Sequence, residues 1–132
     1  MAQQMTRQLQ RVVPYHLVFE RTAVPANGSV TLTAQIPGDS DFEARYVTAQ
    51  YTSNLMTLLF RDSGTRLEIN NRPALIALVT GTGAQPYVLP HPALFVRNSN
   101  AEAVLVDLSG APNTVMVVLC GFLLYPGPMS QA

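Results

Sequence analysis

The feature that most constrains this chain is a two-residue alternation of apolar and polar side chains, in short stretches cut by turn residues, with no helical stripe anywhere. Between Ser29 and Ile36, the side chains Val30, Leu32, Ala34 and Ile36 alternate with Thr31, Thr33 and Gln35, the period of a strand with one face buried. Tyr15 to Glu20 and Phe42 to Tyr51 flank this stretch, separated from it by Pro25-Ala26-Asn27-Gly28 and Pro37-Gly38-Asp39-Ser40. Proline presets the turn dihedral, glycine and asparagine tolerate positive φ, and aspartate and serine bond nearby backbone, so these tetrapeptides read as bends. Further strands are expected over Leu55 to Arg61, Thr65 to Ile69, Ala93 to Arg97, Ala103 to Leu108 and Thr114 to Leu124, with turns at Asp62-Ser63-Gly64 and Ser109-Gly110-Ala111-Pro112-Asn113. The proline-punctuated stretch from Asn70 to Pro92 reads as a long connection that holds a short strand or helical turn at Ala74 to Val79. About eight short antiparallel strands at this spacing specify an all-β fold, a β-sandwich of jelly-roll type.

A chain of 132 residues supports one core, burying roughly two-thirds of the surface its unfolded form exposes. The sandwich is expected over residues 13–125. Residues 1–12 are polar and lack sheet periodicity, reading as a flexible N-terminal arm, and Pro126-Gly127-Pro128 ends the last strand and opens a tail over residues 126–132. Fixing such an arm costs about 1–2 kcal/mol per residue of backbone entropy, so it is expected to order only against a partner. Met1 to Arg11 lacks the apolar stretch of a signal peptide, which gives intracellular synthesis as the expectation.

Apolar residues make up 48% of the chain and charged residues 12%, about half the usual charged share, so the exterior is short of charge and suited to cover by neighbours. Eight arginines balance eight carboxylates with no lysine present; this neutrality offers no basic field for nucleic acid or for an anionic membrane. Cys120, the single cysteine, excludes an intrachain disulfide and a cysteine zinc cluster and is expected to be an inert core thiol. The apolar run from Thr114 to Tyr125 would rise only about 18 Å as a helix against roughly 30 Å of hydrocarbon. It reads instead as a buried central strand.

Residues with chemistry are few. Asp39, Asp41 and Glu43 could seed a calcium site, but the rest of a calcium loop is missing, and aspartate in such a turn commonly bonds its own backbone. His16 and His91 lack a nucleophile elbow or other partner pattern, and Gly81-Thr82-Gly83 lacks the third glycine, the lysine and the helix of a phosphate loop. The sequence therefore assigns no catalytic residue, no cofactor and no metal ligand, and the expectation is that the chain is not an enzyme. Candidate interface residues are Arg7 and Arg11 on the arm, Arg61, Arg66 and Arg72 around the central turn beside Asp62 and Glu68, and Tyr87 and His91 in the proline-rich stretch.

From Asp62 to Gly121 the chain carries Asp62-Ser63-Gly64-Thr65-Arg66-Leu67, Asn71-Arg72-Pro73, Gly81-Thr82-Gly83 with Leu89-Pro90-His91-Pro92, then Asp107-Leu108-Ser109-Gly110, Asn113-Thr114-Val115 and Leu119-Cys120-Gly121. In this order, with Asp39 to Glu43 upstream, it resembles small β-sandwich virion structural proteins of tailed bacteriophages: capsid decoration (cement), minor head and neck proteins. The resemblance implies a homo-oligomer, dimer or trimer, made in the host cytoplasm and placed on the capsid surface or neck, with the major capsid protein or neck proteins as partners. Two alternatives stand beside capsid decoration: a head–tail neck or collar subunit, and a host- or carbohydrate-binding sandwich. In the last, Tyr15, Tyr46, Tyr51 and Tyr87 would stack on sugars, although the chain lacks tryptophan, the side chain with the largest stacking face.

Overall fold

The computed structural model describes residues 11–63, 69–70 and 72–126. Eight strands run in chain order: β1 (Arg11–Val24), β2 (Ser29–Gln35), β3 (Asp41–Tyr51), β4 (Met56–Asp62), β5 (Ala74–Leu75), β6 (Tyr87–Phe95), β7 (Asn100–Asp107) and β8 (Asn113–Tyr125), with one helical turn, α1 (Ile76–Val79), between β5 and β6. They form two four-stranded sheets of order β1-β8-β3-β6 and β2-β7-β4-β5. The pairs β1·β8, β2·β7, β3·β6 and β4·β5 are all antiparallel and nested one inside the next. The chain is thus one long hairpin ribbon, rolled so that β3 also meets β8 and β4 also meets β7. That is the topology of a jelly roll, as the spacing of strands and turns leads one to expect.

Between the sheets lies a closed apolar core. Phe19, Phe42, Phe60 and Phe95 are buried at its centre, and burial of each such ring stabilises the fold by about 1.5–3 kcal/mol. The alternation read from β2 is present: Val30, Leu32 and Ala34 pack against the core and Ile36 is fully buried, while Thr31, Thr33 and Gln35 face out.

Several elements differ from expectation. β1 starts at Arg11, so Arg11 and Val12, assigned by sequence to the arm, pair with Tyr125 and Leu124. β6 runs through Pro90 and Pro92 inside the stretch read as loop. Both β1, with Pro14, and β6 are edge strands, where a residue without an N–H does not interrupt a ladder on its outer side. Opposite Arg45 the register of β6 jumps from Ala93 to Val88, a bulge that takes up the Leu89-Pro90-His91-Pro92 segment. The expected strand from Thr65 lies outside the described residues except for Ile69, as do most of the expected arm and tail. The connection at Ala74 to Val79 is both of the things foreseen, two residues of strand and then a helical turn.

One end of the roll is tied by two buried polar side chains. The Asp107 carboxylate accepts bonds from the backbone N–H of Asn27 (2.9 Å), Ser109 (3.1 Å) and Gly110 (3.0 Å) and from the Ser109 hydroxyl (2.6 Å). The Ser109 hydroxyl bond, followed by that from Asn27, holds its carboxyl well below the usual carboxylate range, while burial works the other way. Asn113 continues the network: its oxygen accepts from Thr52 Oγ1 (2.6 Å) and Ser53 N (3.0 Å), and its amide donates to Ser53 O (3.2 Å). Three turns, β1–β2, β3–β4 and β7–β8, are joined through these two residues.

In the middle of β8, Gly121 faces the point where β3 shifts register between Ala44 and Tyr46. A Cβ there would stand 1.9 Å from the Glu43 carbonyl oxygen, so the close approach of the two backbones admits no side chain.

Gly121→Ala is expected to lower the free energy of unfolding far more than a substitution to alanine at an exposed strand position, and Asn113→Ala to cost about 2–3 kcal/mol for its lost buried hydrogen bonds, both read by chemical denaturation. The folded-state pKa of Asp107 is depressed, so its contribution is present above the usual carboxylate range and lost as the pH falls through it. Asp107→Asn is therefore expected to lower the melting temperature at pH 7 and to shrink the difference from wild type below about pH 4.

Candidate interaction surface

The two sheets differ in their outward faces. On the β2-β7-β4-β5 sheet, Thr31, Thr33, Thr57, Arg61 and Glu102 face outward around Leu59, Val104 and Val106, and Arg61 Nε lies 2.6 Å from Glu102 Oε1. On the β1-β8-β3-β6 sheet the outward rows of β1 and β8 are largely apolar, and that of β3 is mixed. Val12 stands across from Leu124, Pro14 from Phe122, His16 from Cys120 and Val18 from Val118. On the other side of β8, Tyr46 faces Cys120, Thr48 faces Val118 and Gln50 faces Met116. Val88 is 61% exposed, Val12 51%, Leu94 45%, Val18 43% and Tyr46 40% on this face, while Leu55, Leu75, Leu78, Val96 and Leu108 are exposed elsewhere.

β8 is the cause. Val115, Val117, Leu119 and Leu123 fill the core from one side, while Met116, Val118, Phe122 and Leu124 occupy the other phase of the same strand. The strand is central, as expected, but covered on one face. Cys120 is accordingly half-exposed in the middle of the outer face and not a core thiol. Partial burial pushes its thiol pKa up, and a hydrogen bond with Thr48 opposes the shift.

Charges on this face occur in pairs. Arg45 Nη2 lies 2.8 Å from Glu43 Oε1, with the guanidinium 5.2 Å from the Phe122 ring centroid; at the rim, Asp41 Oδ1 accepts from Arg97 N (2.9 Å) and Nε (3.2 Å). Exposed pairs of this kind contribute about 0–1 kcal/mol and chiefly keep the surface neutral. They occupy Asp41 and Glu43, two of the three carboxylates considered for calcium, and among the described residues no three His, Cys, Asp or Glu side chains gather as metal ligands. Gly81 bridges Thr48 and bonds Val47 and Ala49, continuing the sheet edge beyond β6. Beside it, Thr48, Gln50, Met116, Val118, Thr82 and Gly83 line an open depression of about 320 Å³.

The residues singled out from the sequence do not come together. Arg7 and Arg66 lie outside the described residues. Arg11 is on β1 with its guanidinium 4.3 Å from the Tyr125 ring centroid, Arg61 is on the opposite sheet paired with Glu102, and Arg72 is exposed where Asn70 bonds its carbonyl. Tyr87 is turned inward against the core, whereas His91 is exposed on the β6 bulge. His16 and His91 sit on opposite edge strands of one sheet and share no site. The residues that sequence reasoning missed are those of the outer face, Val12, Val18, Val88, Leu94 and Phe122. The available signal was the run from Thr114 to Tyr125, apolar in both phases.

No family model matches the chain, nor does any curated protein. Among solved structures it is similar to the infectious bursal disease virus VP2 subviral particle, at 12% identity and a TM-score of 0.36, over 89% of this chain and 42% of that one. It is also similar to a family two carbohydrate esterase from Cellvibrio japonicus, at 14% identity and a TM-score of 0.31, over 89% of this chain and 36% of that one. A structure of infectious bursal disease virus Gx strain is similar at 13% identity and a TM-score of 0.27, over 92% of this chain and 42% of that one. The chain spans less than half the length of each of these structures.

The inward and outward placements separate two of the candidates. Tyr87→Ala is expected to cost about 2 kcal/mol through lost packing, and His91→Ala to stay within about 0.5 kcal/mol of wild type, as measured by urea denaturation.

Proposed function

We propose that this chain is a virion structural subunit, a capsid decoration protein of a tailed bacteriophage that binds an assembled shell in many copies. The observation that carries the reading is the outward face of the β1-β8-β3-β6 sheet, where exposed Val12, Val18, Tyr46, Val88 and Leu94 lie around Met116, Val118 and Phe122 of β8. A surface of that size left in water is a liability, and one that neighbours cover is an interface. The resemblance of the turn segments between Asp62 and Gly121 to phage virion proteins supports the same reading. A jelly roll is at home in viral shells, although fold by itself assigns no function.

In mechanism, contacts of modest size are multiplied by the symmetry of the shell. A subunit that binds the assembled lattice and not its separated parts stabilises the lattice by mass action. The chain acts without turnover and without a cofactor in this reading. A neck or collar subunit would use the same surface in a ring. Sugar binding is disfavoured by the tyrosines themselves, since Tyr15, Tyr51 and Tyr87 pack against the core and only Tyr46 of the four is exposed.

Cosedimentation of the purified chain with capsids of its own phage tests the proposal. The expected result is saturable binding at a fixed number of copies per capsomer together with a higher temperature of shell disruption. Binding restricted to the portal vertex would move the protein to the neck, and no binding to capsids or necks would overturn the assembly reading.

A further inference from the structure

We infer that the outer face of the β1-β8-β3-β6 sheet is the contact for a second copy of this chain, two jelly rolls packing sheet to sheet about a two-fold axis near Cys120. The assignment deepens the assembly reading and rests on it.

Size is the first argument. Four strands at the usual spacing, each about as long as the eleven-residue β3, present roughly 700 Å² of sheet face. A stable interface of ordinary size buries about 800 Å² per partner, so this face alone nearly supplies one side of it. Composition is the second. Met116, Val118 and Phe122 run down the middle strand, the apolar centre that interfaces between like subunits favour, and the paired charges Asp41–Arg97 and Glu43–Arg45 flank it.

Charge and shape argue for a second copy over a different molecule. Each acidic group of the Asp41–Arg97 and Glu43–Arg45 pairs is already met by an arginine of the same chain, so two copies meet without a net like-charge penalty, whereas a strongly acidic or basic partner finds no complementary field. The chain as a whole is neutral as well. A two-fold contact needs projections and a recess on one patch, because each surface meets itself. Here Tyr46 and Val88 project at 40% and 61% exposure, and the depression beside Met116 and Val118 provides the recess. Packing of two sheets face to face at about 30° is an established way for such surfaces to interdigitate.

The test uses the full chain in the absence of any capsid, so that failure to self-associate and failure to bind a shell are separate results. Sedimentation velocity from low to high micromolar concentration is expected to show a dimer, and Val118→Arg, at the centre of the face, to raise the dissociation constant at least about tenfold. Thr33→Arg, on the outer face of the other sheet, is expected to leave association unchanged. Should Val118→Arg fail to fold, Val18→Asp on the edge strand takes its place. As an independent reading, the rate at which Cys120 reacts with a thiol reagent is expected to fall as wild-type concentration rises. A monomer throughout the range overturns the inference, whether Cys120 is freely reactive or already covered by the terminal segments of its own chain. A trimer, or a dimer indifferent to both face variants, overturns it equally.

Discussion

The position of β8 between β1 and β3 is the constraint from which the rest of this molecule follows. It is the last of the described strands, so the sheet that contains it is completed only once the ribbon has been rolled. Its inward side chains supply a long row of the core, and its backbone is approached by β3 so closely at Gly121 that no side chain fits there. Nearly all of the pairing is long-range, which makes the fold one cooperative unit and not a sum of hairpins.

A rolled ribbon has loose ends unless its turns are tied to one another. At one end the tie is made by a buried carboxylate that has no cation beside it, Asp107, satisfied by backbone N–H groups and one hydroxyl. A buried anion is tolerable on such terms because fixed amide dipoles replace the water it has lost. Asn113 passes the connection to the β3–β4 turn. The Asp107 and Ser109 side chains read from the sequence as turn residues are in this way occupied by architecture.

The consequence for function lies in what remains uncovered. Both layers of a sandwich have an inner and an outer face, and in this one the outer row of β8 holds methionine, valine, cysteine, phenylalanine and leucine, whereas the outer row of β2 holds serine, threonine and glutamine. Low overall charge was visible in the composition, but composition does not say where the uncharged surface gathers. The structure shows one such gathering on the outer face of the β1-β8-β3-β6 sheet, around Met116, Val118 and Phe122.

By itself the sequence determined the class of fold, because alternation at β2 and proline and glycine between strands are local properties that survive in any β context. Of β6 it marked only the end, from Ala93, because Pro90 and Pro92 erase the strand signal before it and only an edge position makes them tolerable. It also could not say that Tyr87 turns inward or that Arg61 and His91 end on different sheets. The deepest limit is in β8. Where both phases of a strand are apolar the alternation carries no information about which side is covered, and Thr114 to Tyr125 reads the same with one layer packed on it or two. Only the tertiary structure decides this, because cover is a matter of where the other sheet is laid, and among the described residues that sheet lies on the Val115, Val117 and Leu119 side of β8.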